Sequence, residues 1–242
     1  MGKKLIKDST LTGIADAIRA KGGASGTMTP QEMPEKIAAI PTSGGDIDAL
    51  IDRSITEISS SSATSIGNYA FRSCSALTTV DFPVATSIGE AAFVSCSALT
   101  MANFPVATSI GVYAFRSCSA LTMANFPVAT SIGTYAFDSC SALTTVDFPV
   151  ATSIGVYAFY SCSELKSLLL RGNNVCTLSN TNAFGSTPIV SGTGYIYVPS
   201  ALIDQYKVAA NWSTYATQFR ALEDYTVDGT ITGELDTSKV GV

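Results

Sequence analysis

The sequence predicts an α/β solenoid, a stack of 22-residue coils with one short parallel strand and one helical turn in each coil. The first observation is repetition, because the chain repeats itself five times with a period of 22 between residues 63 and 163. The second is alternation within each unit, where Val80 and Phe82 point to one side of a strand and Thr79 and Asp81 to the other. The third is burial, since one unit cannot cover its own apolar residues but stacked copies can.

The apolar positions recur in register along the repeat. They are Ile66, Ile88, Ile110, Ile132 and Ile154; Phe71, Phe93, Phe115, Phe137 and Phe159; Cys74, Cys96, Cys118, Cys140 and Cys162; and Leu77, Leu99, Leu121, Leu143 and Leu165. A Phe-Pro pair closes the first four units, and Leu170-Arg171 replaces it in the fifth. Because proline has no N–H to donate, each pair is expected to end its strand. Identical side chains are therefore expected to lie on one another in the interior.

The segment S-I-G-x-Y-A-F-x-S-C-S lies on the other side of each unit. It places Ile66, Ala70 and Phe71 at i, i+4 and i+5, which suits one or two helical turns. Gly67 is expected to give the backbone conformational freedom beside Ile66. Because helical turns need more room than the strand spacing of about 4.8 Å, the stack is expected to curve with its strands on the concave side.

The pattern I-G-x-x-A-F-x-x-C-x-x-L-x-x-V-x-F-P resembles the BspA-type leucine-rich repeat family from about residue 63 to residue 170. The resemblance implies a leucine-rich-repeat solenoid. It also implies a role in adhesion, because members of this family occur on bacterial and protozoan surface proteins. A sixth, stretched unit is expected to follow, since residues 182–184 echo the Ala-Phe step and residues 195–199 echo the strand and its proline.

Four regions are predicted. Residues 1–45 form a small helical region and linker, 46–62 an N-terminal cap, 63–199 the solenoid, and 200–242 a helical cap and tail. The segment LTGIADAIRAKGG with MTPQEMPEKIAAI is similar to N-terminal segments of phage and prophage tail-associated proteins from gut Firmicutes, which implies an attachment module.

The C-terminal region is predicted to cover the last coil. Ser200 is the expected N-cap of a helix over ALIDQYKVAANW, and Trp212, Tyr215 and Phe219 provide a large apolar face. The alternative is an exposed aromatic shelf on which a carbohydrate stacks.

Composition and spacing argue against several kinds of chemistry. The chain has 14 Lys and Arg against 19 Asp and Glu, which does not suit a nucleic-acid binder, and it has no histidine for acid–base catalysis or metal binding. Cysteines 22 residues apart do not form a zinc site, and parallel stacked thiols approach wrongly for disulfides. They are predicted to be buried free thiols, with Cys176, outside the register, the one considered for reactivity. Asp81 and Asp147 are three coils apart, too far for a two-carboxylate mechanism. No enzyme activity, metal or cofactor is expected.

The binding site is predicted from the positions at which the coils differ. Two outward strand positions vary, and together they form a polar face with two methionines. The predicted binding residues are Thr79, Asp81, Met101, Asn103, Met123, Asn125, Thr145 and Asp147. Repeat solenoids commonly bind through such a face, and methionine adapts well to a partner. Variation is also what an exposed position without a partner would show, so that alternative stays open.

The predicted function is a non-enzymatic binding or adhesion module that recognises a protein or glycan on a cell surface, or acts within a phage tail. The alternative is a structural spacer or self-assembly component of a virion or cell surface. The first 21 residues lack the 7–15-residue apolar core of a secretory signal peptide. The resemblances imply the outer face of a bacterial cell or virion as the location, and without a signal peptide the chain is expected to be able to stay in the cytoplasm until release. No nucleic-acid partner and no membrane insertion are expected, and the oligomeric state is left open.

Overall fold

In the computed structural model, which describes residues 5–6 and 55–225, each coil adds strands to two parallel ladders. The first ladder begins with a five-stranded sheet made of β1 (Leu5–Ile6), β2 (Glu57–Ser59), β4 (Thr79–Asp81), β6 (Met101–Asn103) and β8 (Met123–Asn125). It resumes as a four-stranded sheet made of β10 (Thr145–Phe148), β12 (Ser167–Leu170), β14 (Tyr195–Val198) and β15 (Phe219–Ala221). Residues 22 apart pair with each other, as Thr79 does with Met101 and Met101 with Met123.

The second ladder was not predicted from the sequence. Its six strands are β3 (Ser65–Ile66), β5 (Ser87–Ile88), β7 (Ser109–Ile110), β9 (Ser131–Ile132), β11 (Ser153–Ile154) and β13 (Thr177–Leu178). Each isoleucine is buried, and Thr86 N donates to Thr64 O at 2.8 Å just before β5. Two residues are too few to give a strand pattern in a sequence, so only stacking in register reveals them.

The prediction of helical turns between the two ladders is wrong. Tyr69 and Ser73 both have a φ of 58°, and the equivalent residues of the next four coils share this left-handed conformation. The N–H of Tyr69 donates to Glu90 O at 2.8 Å and that of Ser73 to Val94 O at 2.8 Å. Because these N–H groups donate to the next coil, hydrogen bonds along the stack replace those within a helix.

The expected explanation for the recurring glycine is also corrected. Gly192, with a φ of 83°, is the one glycine with positive φ in the described chain, and it lies outside the repeat. A Cβ on Gly111 would instead lie 2.6 Å from the backbone C and O of Gly89, one coil earlier. Glycine is therefore required there because adjacent coils approach closely, not because the backbone turns unusually.

The interior contains the predicted columns of identical side chains. Phe71, Phe93 and Phe115 stack with ring centroids 5.2 Å apart, and the five cysteines of the repeat are not disulfide-bonded, lie in line and are fully buried. The Sγ of Cys96 donates to Phe71 O at 3.0 Å, and the next three coils repeat this hydrogen bond. The prediction of buried free thiols in register is confirmed.

Within the two predicted N-terminal regions, the structure describes residues 5–6 and 55–62. Strand β2 lies within the segment predicted as a cap, and it pairs in register with β4 as a regular strand of the ladder. Apart from residues 5–6, which pair with β2, the predicted helices of residues 1–54 lie outside the described residues.

The C-terminal region covers the last coil, but by a different arrangement from the predicted one. Its helices are α1 (Pro188–Ser191) and α2 (Ile203–Val208), with 3₁₀ turns at Thr181–Phe184, Ser200–Leu202, Trp212–Tyr215 and Leu222–Asp224. Ser200 is not the side-chain cap, since its hydroxyl donates to Glu223 Oε1 at 3.3 Å.

The three predicted cap aromatics are all buried. Trp212 is 1%, Tyr215 2% and Phe219 4% exposed, and Phe219 lies in β15, which pairs with β14. The alternative of an exposed carbohydrate-stacking shelf is wrong, because these rings have no free face.

The predicted sixth unit is present, since Phe184 stacks on Phe159 at 5.6 Å and β14 pairs with β12. Across the described residues, no helix has both the length and the hydropathy to traverse a bilayer.

Candidate binding surface

The eight predicted binding residues lie on the outer side of β4, β6, β8 and β10, and we call them the strand face. In β4 and β6 the middle residue points inward, as Val80 and Ala102 do, while the residues on either side reach solvent. Met101 and Met123 pair with each other and are 38% and 54% exposed. The strand face therefore presents two adjacent apolar side chains on a rigid sheet.

Asp81, Asn103 and Asn125 form a ladder of side-chain hydrogen bonds. The Nδ2 of Asn103 donates to Asp81 Oδ1 at 2.7 Å, and the Nδ2 of Asn125 donates to Asn103 Oδ1 at 2.6 Å. The Asp81 carboxylate at one end sets the direction of these hydrogen bonds, because a charged acceptor strengthens its own hydrogen bond and polarises the next one. The ladder fixes three side chains of the strand face before any partner arrives.

Asp147 does not join this ladder. Arg171 holds its carboxylate with Nε 2.9 Å from both oxygens and Nη2 2.7 Å from Oδ2. Arg171 was not among the residues predicted for the site, although it stands where the other four coils have the proline of the Phe-Pro pair. The eight residues therefore form a connected row from β4 to β8 and a separately held group on β10.

The first of the two strand ladders is interrupted between β8 and β10. Thr100 N donates to Thr78 O at 2.8 Å and Thr122 N to Thr100 O at 3.1 Å, but within the described chain no backbone hydrogen bond joins Thr144 to Thr122. The second ladder stays continuous, with Ile154 paired to Ile132. The coils thus separate on the strand side alone, beside Met123. Nothing in the local sequence explains the interruption, since the same residue types recur in paired coils.

A column of tyrosines lies in the turn segments, away from the strands. Tyr113 and Tyr135 stack at 5.1 Å, Tyr135 and Tyr157 at 4.8 Å, and all three are partly exposed. Burial is the main reason that the pKa of Tyr135 is raised. This column was not predicted, although the sequence has a tyrosine at four of the five equivalent positions.

The buried thiols offer no nucleophile. Burial raises the pKa of both Cys162 and Cys176 to about 12, so both stay protonated at neutral pH. Cys176 is 1% exposed, which overturns the idea that it is the reactive cysteine. In the part of the chain that the structure describes, no three His, Cys, Asp or Glu residues are grouped to hold a metal ion.

The model of the BspA type leucine rich repeat region matches residues 49–166 and 86–201. The match extends the predicted family region at both ends. It begins after the segment that resembles phage tail-associated proteins, and the comparisons give that resemblance no support. No curated protein matches the chain.

Several solved structures are similar to the chain. A leucine rich repeat protein of T. pallidum is 28% identical over 48% of this chain and 53% of its own, with a TM-score of 0.41. A leucine rich cell surface protein from Faecalibacterium prausnitzii is 24% identical over 49% and 40%, with a TM-score of 0.40. A leucine-rich repeat protein from Bacteroides ovatus is 26% identical over 60% and 40%, with a TM-score of 0.42. The chain spans about half or less of the length of these proteins.

Proposed function

Because the chain belongs to the BspA-type leucine-rich repeat family, we propose that it is a non-enzymatic binding module that contacts a protein or glycan through its strand face. The observation that carries the proposal is the exposure of Met101 and Met123 side by side on a hydrogen-bonded sheet. Exposed apolar groups inside a polar rim mark interaction sites, and methionine packs against partners of varied shape.

The polar part of the strand face supports the same proposal. The Asp81–Asn103–Asn125 ladder holds its amides in place, so a partner that binds them loses little side-chain entropy. Asp147 is already paired with Arg171, which leaves the face with little free charge. Hydrogen bonds and apolar contact, rather than electrostatic steering, are expected to govern binding.

The centre of the site is proposed at the interruption between β8 and β10. Met123 flanks it and is more exposed than Met101, and Asn125 ends the amide ladder there. A partner could reach both the apolar side chain and the last amide from one position. This centre is expected to tolerate substitution less than Thr79, at the far end of the face.

The experiment compares two double variants of the labelled protein on glycan arrays and on whole bacterial and epithelial cells. Met101→Glu with Met123→Glu places charges on the strand face. Val106→Glu with Val128→Glu alters the same two coils at residues that are each 39% exposed but lie outside the strands. Loss of binding in the methionine variant alone supports the strand face. Loss in the valine variant alone places the site on that edge, and unchanged binding in both overturns the assignment.

A structural spacer is the second candidate, favoured by a different feature. Val84, Val106, Val128 and Val150 form a stripe with exposures from 38% to 43%, which suits side-by-side association of copies. Sedimentation velocity distinguishes the two candidates. A spacer self-associates through the valine stripe and binds no cell, whereas a binding module retains cell binding as a monomer.

The proposed location is the outer face of a bacterial cell or virion, as an adhesin or as the receptor-binding part of a tail-associated protein. The support for it is the family, together with repeats that carry few charged side chains. Neighbouring genes test it, because tail and lysis genes would favour a virion and surface-anchoring genes a cell.

A further inference from the structure

Arg116 is held above the tyrosine column by a buried carboxylate. Its guanidinium carbon lies 5.5 Å from the ring centroid of Tyr113 and 5.9 Å from that of Tyr135. Its Nε donates to Asp138 Oδ2 at 2.8 Å, and the Asp138 side chain is 7% exposed. Ser139 Oγ donates to the other carboxylate oxygen at 3.1 Å. The arginine is thus fixed from below by an ion pair and from the side by two aromatic rings.

The outer part of this guanidinium is unused. The Arg116 side chain is 48% exposed, and its two terminal amino groups make no hydrogen bond to any residue that the structure describes. Arg171 provides the contrast, because it contacts Asp147 through both Nε and Nη2. Two parallel N–H donors on a fixed arginine match the two oxygens of a carboxylate.

The surroundings of Arg116 are apolar and preorganised. The rings of Tyr113 and Tyr135 stack on each other at 5.1 Å, and Val112, which precedes Tyr113 in the sequence, is 39% exposed. Tyrosine and arginine dominate the energetic centres of protein interfaces, and a ring already fixed loses little entropy on binding. Exposed apolar area next to unused guanidinium donors is complementary to an acidic side chain with aliphatic neighbours.

We propose that Tyr113, Arg116 and Tyr135, with Asp138 as the anchor of the arginine, form a second docking site that receives an Asp or Glu side chain of a partner protein. The carboxylate accepts from the terminal amino groups of Arg116, and its aliphatic neighbours pack on Val112 and the ring edges. A protein is favoured over an acidic glycan because a sugar ring would place hydroxyl groups against Val112. The site lies in the turn segments and does not depend on the strand face.

The test is an NMR titration of the whole chain with three probes. They are the blocked tripeptide Ac-Val-Glu-Val-NH2, its neutral analogue Ac-Val-Gln-Val-NH2, and glucuronate. We expect saturable shifts of the Arg116 and Tyr113 signals with the Glu peptide, and about tenfold weaker binding of the Gln peptide because the charge-assisted pair is lost. Equal affinity for the two peptides would overturn the proposal. Tighter binding of glucuronate than of the Glu peptide would overturn the choice of a protein partner.

Substitutions of Arg116 and Arg72 test whether the preference for the Glu peptide depends on Arg116. Arg116→Gln is expected to abolish the preference for the Glu peptide, and Arg116→Lys to restore part of it, because lysine keeps the charge but not the paired donors. Arg72→Gln is the matched control, since Arg72 holds the equivalent position of the first repeat beside Tyr69, but its neighbour one coil on is Val94 and not an aspartate. Equal loss in the Arg72 variant would overturn the site. If Arg116→Gln does not fold, the comparison of the two peptides on the unmodified chain still decides.

Discussion

Asn103 donates its side-chain amide to the carboxylate of Asp81 at 2.7 Å, across one full coil of 22 residues. The two residues lie at adjacent positions of one strand-face column, and their partly exposed side chains are bound to each other. Variation in this column therefore has a structural consequence. A donor beside a carboxylate stabilises the stack, whereas two carboxylates in neighbouring coils would repel each other.

Asn103→Asp is expected to lower the free energy of unfolding by about 1–3 kcal/mol, because it removes a donor and sets two carboxylates against each other. Urea unfolding at neutral pH measures the change. The double variant Asp81→Asn with Asn103→Asp reverses the donor and acceptor and should recover most of the loss. A single variant as stable as the unmodified chain would mean that the ladder contributes nothing.

Gly111→Ala is expected to destabilise the stack by about 3 kcal/mol, since its Cβ would lie 2.6 Å from the backbone of the preceding coil. Gly172→Ala is the control, because the nearest atom to a Cβ there is 3.7 Å away. Thermal unfolding of the two variants should separate them clearly. Similar midpoints would show that the coils can move apart at little cost.

The six described cysteines are expected not to react with a thiol reagent in the folded protein and to react fully in denaturant. None of the six is disulfide-bonded and all are buried, and burial raises the pKa of Cys162 and Cys176 to about 12. Absorbance with a disulfide reagent such as Ellman's reagent measures both states. Rapid modification of any one of them under native conditions would contradict its burial.

Stability is expected to fall as the pH rises above 9. Burial raises the pKa of Cys162 from 9.0 to about 12, so the unfolded chain loses this proton at lower pH than the folded chain. The contribution is fully present below pH 9 and is lost progressively towards pH 12, by about 1 kcal/mol for each such thiol at pH 10.

Urea unfolding at pH 8 and pH 10 measures this slope. The double variant Cys162→Ala with Cys176→Ala removes two of the titrating groups and should show a shallower decline than the unmodified chain. An equal decline in both proteins would show that other groups cause it.

Most of the fold could be predicted from the repeat. Phe71, Phe93 and Phe115 recur every 22 residues, so the position of each ring over the next follows from counting. The same holds for the buried cysteines and for the outward direction of Met101 and Met123. A fixed period shows which residues of successive coils contact each other, and it can be read directly from the sequence.

Helical turns were predicted wrongly because spacing alone does not record where an N–H group points. Tyr69 and Ser73 donate along the stack to Glu90 and Val94, and this requires the left-handed backbone that their side chains would otherwise avoid. The second ladder was not predicted for a related reason. A strand of two residues forms only when the equivalent residues of the neighbouring coils pair with it.

The sequence by itself determined the stack, its register and its interior columns, because identical side chains at a fixed interval can be buried together only by lying on their own copies. The tertiary structure alone decided which exposed groups are already engaged. Asp147 is paired by Arg171, Asn125 ends a ladder beside an interruption, and Arg116 keeps its terminal donors free. These outcomes depend on distances of a few ångströms between coils, and a repeat fixes the order of the coils without fixing those distances.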